Sequence, residues 1–272
     1  MSISDFEFAV RTTDQMGWGL TKQDFEFMVE LEPEGCFVLF EDMERIGIAT
    51  SVSFGKVGWF GNLIVNESKR NKGAGSLLVN HALKYLTGKG VETVGLYAYM
   101  ERIPFYKRLG FESDSEFIVM RGKSFCSPVA ASGRLAEKQD IDEIISYDQF
   151  CFGASRRKLL TPILTDPDNL CYVSGEKKIL GYALAKVYRG AAELGPVVCE
   201  RGHTEIAVDL LKATLNRLEG LVVSMFVPKR QSAILSFLID SGFRQTFKVE
   251  RMFYGPPAGK DCTYMAESLE RG

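Results

Sequence analysis

One order of elements is written twice in this chain: strand, helix, strand, helix, a Gly-Phe pair, strand. The first copy reaches Gly110-Phe111 and the second Gly242-Phe243. An ungapped overlay sets Leu77-Leu78 on Leu210-Leu211. Repetition at such a long period means two copies of one structural unit, each with its own share of core. Strands alternating with helices call for a central sheet with helices packed on it. The expected class is therefore α/β, in the mixed-sheet α+β form. It would hold two tandem units, each a twisted central sheet flanked by helices. A length of 272 residues suits two ordinary domains. Residues 124–133 are rich in Ser, Ala and Gly and lack periodicity, so they read as a linker between domains at 1–123 and 134–272.

Hydrophobic spacing supplies the elements. In the first copy, residues 6–11 alternate and predict a strand, and a helical region follows over 13–31. Strands are expected over 36–41, 46–54, 57–65, 93–99 and 117–121, with helices over 76–87 and 103–109. In the second copy, helices are expected over 140–150, 159–164, 204–218 and 231–239. Its strands fall at 171–174, 181–187, 191–199, 221–227 and 247–254. The stretch from Pro256 onward reads as loose.

The chemistry is concentrated in residues 57–78. An apolar run ends at Val65, a polar turn follows, and a helix opens at Ser76. Across that turn Arg70, Gly73 and Gly75 have the spacing R-x-x-G-x-G. The first amides of a helix have no partner inside it, and glycines let a diphosphate approach the backbone closely. The turn is an anion cradle built from Arg70, Asn71, Lys72, Gly73, Ala74, Gly75 and Ser76.

Further on comes Pro104-Phe105-Tyr106-Lys107-Arg108-Leu109-Gly110-Phe111. The two motifs together, on these elements and at this separation, resemble the GNAT superfamily of N-acetyltransferases. The resemblance covers roughly residues 6–122. It implies that the turn binds the pyrophosphate of acetyl-coenzyme A, with no metal. It implies that the strand at Leu63, Ile64 and Val65 pairs with the pantetheine arm. It further implies that Tyr106 protonates the departing thiolate. A phenol near pKa ~10 facing a thiol near ~8.5 is a workable donor. Two positions depart from the family pattern: Tyr99 stands where many members have Asn, and Arg102 where a small residue is usual.

A base for the acceptor amine is harder to find. Phe60, Gly61 and Asn62 on the cofactor strand cannot serve. Glu26, Glu30 and Glu67 are the nearest candidates, and a water relay is an equal alternative. In the second half the overlay sets His203 on Arg70, Ile206 on Gly73 and Val208 on Gly75, with Phe237 or Leu238 near the place of Tyr106. The cradle and the donor are lost there. The run from Phe152 to Leu160, Gly181-Tyr182, Leu194-Gly195-Pro196 and Gly242-Phe243 resemble the C-terminal half of YitH/HolE-type acetyltransferases. Glu193 is a candidate amine-binding carboxylate, and His203 a helix cap rather than a base.

A net charge of -2 gives no reason to expect nucleic acid or membrane as partner. No secretory leader is visible, and the six cysteines make no C-x-x-C pair, so reduced thiols in a cytoplasmic protein are expected, with no disulfide or metal site. The expected function is transfer of an acetyl group to a primary amine of a small molecule or peptide, by a monomer or homodimer. The alternative is a non-catalytic protein that keeps a coenzyme A site or an interaction surface.

Overall fold

The computed structural model describes residues 1–124, 132–176, 178–260 and 262–272. The first half runs α1 (Phe6–Gln15), α2 (Lys22–Leu31), β1 (Cys36–Glu41), β2 (Glu44–Ser53), β3 (Val57–Val65), α3 (Ala74–Gly88), β4 (Thr93–Tyr99), α4 (Ile103–Arg108) and β5 (Glu112–Lys123). After a short β6 (Arg134–Leu135), the second half repeats this order. It comprises α5 (Ile141–Phe152), α6 (Arg157–Thr165), β7 (Leu170–Ser174), β8 (Gly181–Tyr188), β9 (Ala191–Cys199), α7 (Thr204–Arg217), β10 (Val222–Pro228), α8 (Ser232–Asp240) and β11 (Arg244–Tyr254). A last strand, β12 (Thr263–Met265), has no counterpart in the first half. Most of the expected linker, 125–131, lies outside the described residues. At its start, Ser124 is buried and donates its hydroxyl to the Leu215 carbonyl.

All the strands join one mixed sheet, in the order β1-β2-β3-β4-β11-β5-β10-β9-β8-β7-β6, with β12 attached to β9. The centre of that order is an exchange. β11, from the second half, pairs antiparallel with β4 of the first, from Tyr254 opposite Val94 to Val249 opposite Tyr99. β5, from the first half, pairs antiparallel with β10 of the second, from Phe117 opposite Pro228 to Lys123 opposite Val222. β5 and β11 then pair with each other. Each half thus completes its sheet with the other's last strand.

α3 packs on one face of the first half, over a core of Leu78, Val79, Ala82, Leu86, Val94 and Leu96. α7 does the same in the second half. On the opposite face a single core joins Met28, Leu31, Val52 and Trp59 of the first half to Ile144, Leu159, Leu160 and Tyr182 of the second. Glu32 pins this junction. It accepts from Lys158 at 2.5 Å, from Lys89, and from the Ser53 amide. Burial alone would raise its carboxyl, but these donors outweigh burial and hold it near about 2.

Four expectations fail. Residues 6–11 are the start of helix α1 rather than a strand. The alternation of Phe6, Phe8 and Val10 mimics a strand, yet a capping box formed by Ser2 and Asp5 starts a helix just before it. The helical region 13–31 is two helices, broken at Gly17 and Gly19, both with left-handed φ. The stretch after Pro256 is not loose: Cys262, Met265, Ala266, Glu267, Ser268 and Arg271 are buried, and Cys262 is bonded to Cys151 in a disulfide. The cysteines are thus not all reduced thiols, since a sequence separation of 111 residues hides the pair from any short-motif rule.

Candidate active site

The site begins where β3 leaves its neighbours. β3 and β4 are parallel, and they pair only through Val57–Thr93, Gly58–Val94 and Trp59–Gly95. Just beyond, Asn62 takes a left-handed φ of 50°, and the register with β2 shifts between Ile48 and Thr50. This bulge swings β3 away from β4. The Asn62 side chain fixes it by donating to the Thr50 hydroxyl at 3.2 Å. Phe60 to Val65 and Leu96 to Tyr99 therefore border a V-shaped gap, which places Leu63, Ile64 and Val65 along one wall.

The turn over residues 66–73 closes the top of that wall. Arg70 donates through Nε to the Val65 carbonyl at 2.9 Å, and so holds the end of β3. Asn71 and Gly73 are left-handed, with φ of 62° and 90°. Gly73 is the N-terminal cap of α3 and has open space around it. Its glycine is demanded by the backbone angle. A methyl added at Gly75, by contrast, would lie 3.4 Å from the Phe105 ring. The amides of Ala74, Gly75 and Ser76 fall in the first turn of α3, where no intrahelical acceptor exists. They meet the positive end of a helix dipole, with Lys72 exposed beside them. The whole of the predicted cradle is thus in one place.

Tyr106 lies on α4, which opens with Pro104 in its first turn. The ring packs against Phe105 and Phe111, at centroid distances of 5.0 and 5.8 Å. Its hydroxyl makes no hydrogen bond to a described residue. Burial pushes the phenol well above its ordinary range, with Arg102 opposing weakly. It is a donor at every physiological pH, and a weaker acid than a free phenol. Nearby, Trp18 donates to the Tyr99 hydroxyl at 2.9 Å and ties the α1–α2 connection to the end of β4.

The sequence-based base candidates do not gather here. Glu26, Glu30 and Glu67 are all exposed. Glu193 is opposite Lys186 in the β8–β9 register and paired with it at 2.6 Å, so the amine it holds is that of Lys186. Burial raises its carboxyl, Lys186 opposes, and Glu270 and Glu267 add to the rise. What sequence reasoning missed is the segment 262–272. It crosses the sheet face away from α3, where Arg271 bridges Glu267 and Glu270. The signal was present in the apolar pair Met265-Ala266 followed by Leu269.

The second half shows the same gap, already filled. β9 and β10 pair only through Ala191–Val222, Ala192–Val223 and Glu193–Ser224 before they part. β12 lies between them, pairing with Val197 and Val198 of β9, while the Ala266 amide donates to the Phe226 carbonyl of β10 at 3.0 Å. The connection from β9 to α7 spans only 200–203, against 66–73 in the first half. The ungapped overlay is therefore displaced at the turn. His203, not Ile206, takes the place of Gly73 as the helix cap, with an ordinary φ of -104°. Its ring is half-exposed, 3.4 Å from Glu205. Leu238, fully buried, stands where Tyr106 does.

Comparison with known proteins finds a family match in each half. Residues 7–111 match the model of the acetyltransferase (GNAT) family, and residues 144–265 that of an acetyltransferase (GNAT) domain. A solved structure from Pyrococcus horikoshii, described as a candidate acetyltransferase, superposes with a TM-score of 0.84 at 19% identity, covering 100% of this chain and 94% of its own. A GCN5-related N-acetyltransferase from Sphaerobacter thermophilus gives 0.65 at 16% identity, with 97% of each chain covered. A tandem GNAT protein from the clavulanic acid biosynthesis pathway gives 0.60 at 13% identity, covering 94% and 95%. At these identities the likeness is one of fold. No curated protein matches the chain. Among the described residues no helix is long and apolar enough to cross a membrane.

Proposed function

The chain belongs to the GNAT superfamily as a tandem of two such domains, and on that premise we propose that its first half transfers the acetyl group of acetyl-coenzyme A to a primary amine. The observation that carries this reading is the contrast between the two gaps. β3 and β4 part beside a free helix N-terminus, whereas the same opening between β9 and β10 is filled by β12.

Acetyl-coenzyme A supplies an activated acetyl group as a thioester. This chain's residues bind and orient it. The amides of Ala74, Gly75 and Ser76, with Lys72, fit a diphosphate. Leu63, Ile64 and Val65 offer strand backbone to an extended amide-bearing arm, by the hydrogen bonding through which an added strand joins a sheet. Their amides, fixed by the Asn62 bulge, also suit an oxygen that gains negative charge, at no cost in reorganisation. Tyr106 holds a proton for the leaving sulfur. The acceptor would be a small molecule or a peptide carrying a primary amine, and we propose a monomer or homodimer with no nucleic acid or membrane partner. Glu193 is left out of the acceptor set because Lys186 occupies it.

Steady-state assays over a panel of polyamines, amino acids, aminosugars and peptides test this proposal. The expected result is acetylation of at least one class. Tyr106→Phe should lower kcat by about 100-fold, the low end for a general acid, and leave acetyl-coenzyme A affinity unchanged. A panel without turnover, alongside normal acetyl-coenzyme A binding, would favour the non-catalytic alternative.

A further inference from the structure

β3 lacks a proton acceptor of its own: the residues beside the parting of the strands are Phe60, Gly61 and Asn62. The closing segment brings one. A methyl group on Gly61 would lie 2.7 Å from the Cα and 2.8 Å from the Cβ of Glu270. Glu270 is therefore seated directly on the strand, in the space that any other side chain at position 61 would fill, one residue before the Asn62 bulge. It sits on the face away from α3, and so across the sheet from α3.

The segment is held there by its neighbours. Gly272 packs on the Trp59 ring, and Arg156, itself buried against Asp148, donates to the Gly272 carbonyl. Met265 and Ala266 anchor the other end between β9 and β10. The Glu270 side chain remains 18% exposed, and Arg271 touches only Oε1, at 3.2 Å. The other charged groups around it are Glu193 of β9, Lys186 of β8, and Glu267. Glu267 is neutralised within the protein by Lys186 and Arg271, and Glu193 by Lys186. Of the three carboxylates, Glu270 is the one that meets both the cofactor strand and solvent.

We propose that Glu270 is the base that takes the proton from the acceptor amine. This inference rests on the reading of the first half as the acetyl-transferring half. An acceptor arriving as R–NH3⁺ gives one proton to the Glu270 carboxylate. The freed lone pair forms the N–C bond to the acetyl carbonyl, and the C–S bond breaks with its electron pair leaving on sulfur. The nitrogen's second surplus proton returns to solvent, the sulfur takes its proton through Tyr106, Tyr106 is reprotonated from solvent, and Glu270 passes its proton to solvent to regenerate the carboxylate. The products are the neutral amide and the thiol, with one net proton released. No oxidant or further reactant is needed.

The test combines kinetics, titration and hydrogen exchange on the full chain, with an amine identified by the panel above. Glu270→Gln keeps the shape and the contact to Arg271. It should bind acetyl-coenzyme A within about twofold of wild type by calorimetry. Its kcat/KM near pH 7 should fall about 100-fold, and the loss should shrink as pH rises towards the amine's own pKa, where no base is needed. Gly61→Ala should give the same kinetic defect by a different route. It displaces the segment, so exchange should accelerate over residues 266–272, which Glu270→Gln leaves unchanged. An unaltered pH profile and kcat/KM in Glu270→Gln, with wild type active, would overturn the assignment and leave the first-half reading intact. Wild type that binds no acetyl-coenzyme A would overturn both.

Discussion

A chain ending after Lys123 is expected not to fold. It contains every residue of the cradle and Tyr106, so a reading of independent domains would expect it to bind acetyl-coenzyme A. The strand exchange says otherwise. Without β11, β4 loses the partner it meets from Val94 to Tyr99. β5 loses both β11 and β10. Met252 and Val249 leave the cores they fill with Leu96, Ala98 and Phe117. Burying one such side chain is worth about 2 kcal/mol, so two of them alone approach the net stability of a small domain. Unpaired, apolar strands would also aggregate. Circular dichroism and a melting curve on residues 1–123 check this. A disordered or aggregated product is expected, and a cooperative melt with acetyl-coenzyme A binding would show that the exchange is dispensable.

The second large effect concerns the cradle, where a ligand role must be separated from a backbone role. Gly73→Val should remove binding, but its φ of 90° makes that variant strained in any case. Ser76→Glu is cleaner. A carboxylate in the first turn of a helix favours the helix by about 0.3–1 kcal/mol. The same charge about 4 Å from a diphosphate opposes it by about 4 kcal/mol at the effective dielectric of a protein surface, roughly a 1,000-fold loss. Acetyl-coenzyme A affinity should therefore collapse while the melting temperature holds or rises slightly. Retained affinity with an intact fold would place the phosphates elsewhere.

Much of this was legible in the sequence. The strands at 57–65, 93–99 and 191–199 match to the residue, and a charged residue or glycine stands just before each of them: Lys56, Glu92 and Gly190. The cradle was legible because its chemistry is local: Arg70 to Ser76 are consecutive. Glu270 was not, because it is brought to Gly61 from more than two hundred residues away by packing that no local pattern records. The same holds for the Cys151–Cys262 pair and for the exchange of β5 and β11. The second half's turn is shorter and keeps a left-handed glycine of its own, Gly202 with φ of 91°, just before a cap of ordinary φ, so the loss of glycine at the overlaid positions does not by itself show that Gly73 serves a ligand. The parting of β3 from β4, and the plug between β9 and β10, are the stronger arguments.

Those two features make a prediction about number. Isothermal titration of the intact chain with acetyl-coenzyme A should give one site per chain, filled by the first half alone and lost in Ser76→Glu. Two sites per chain would contradict the plugged second half, and no binding would contradict the account as a whole.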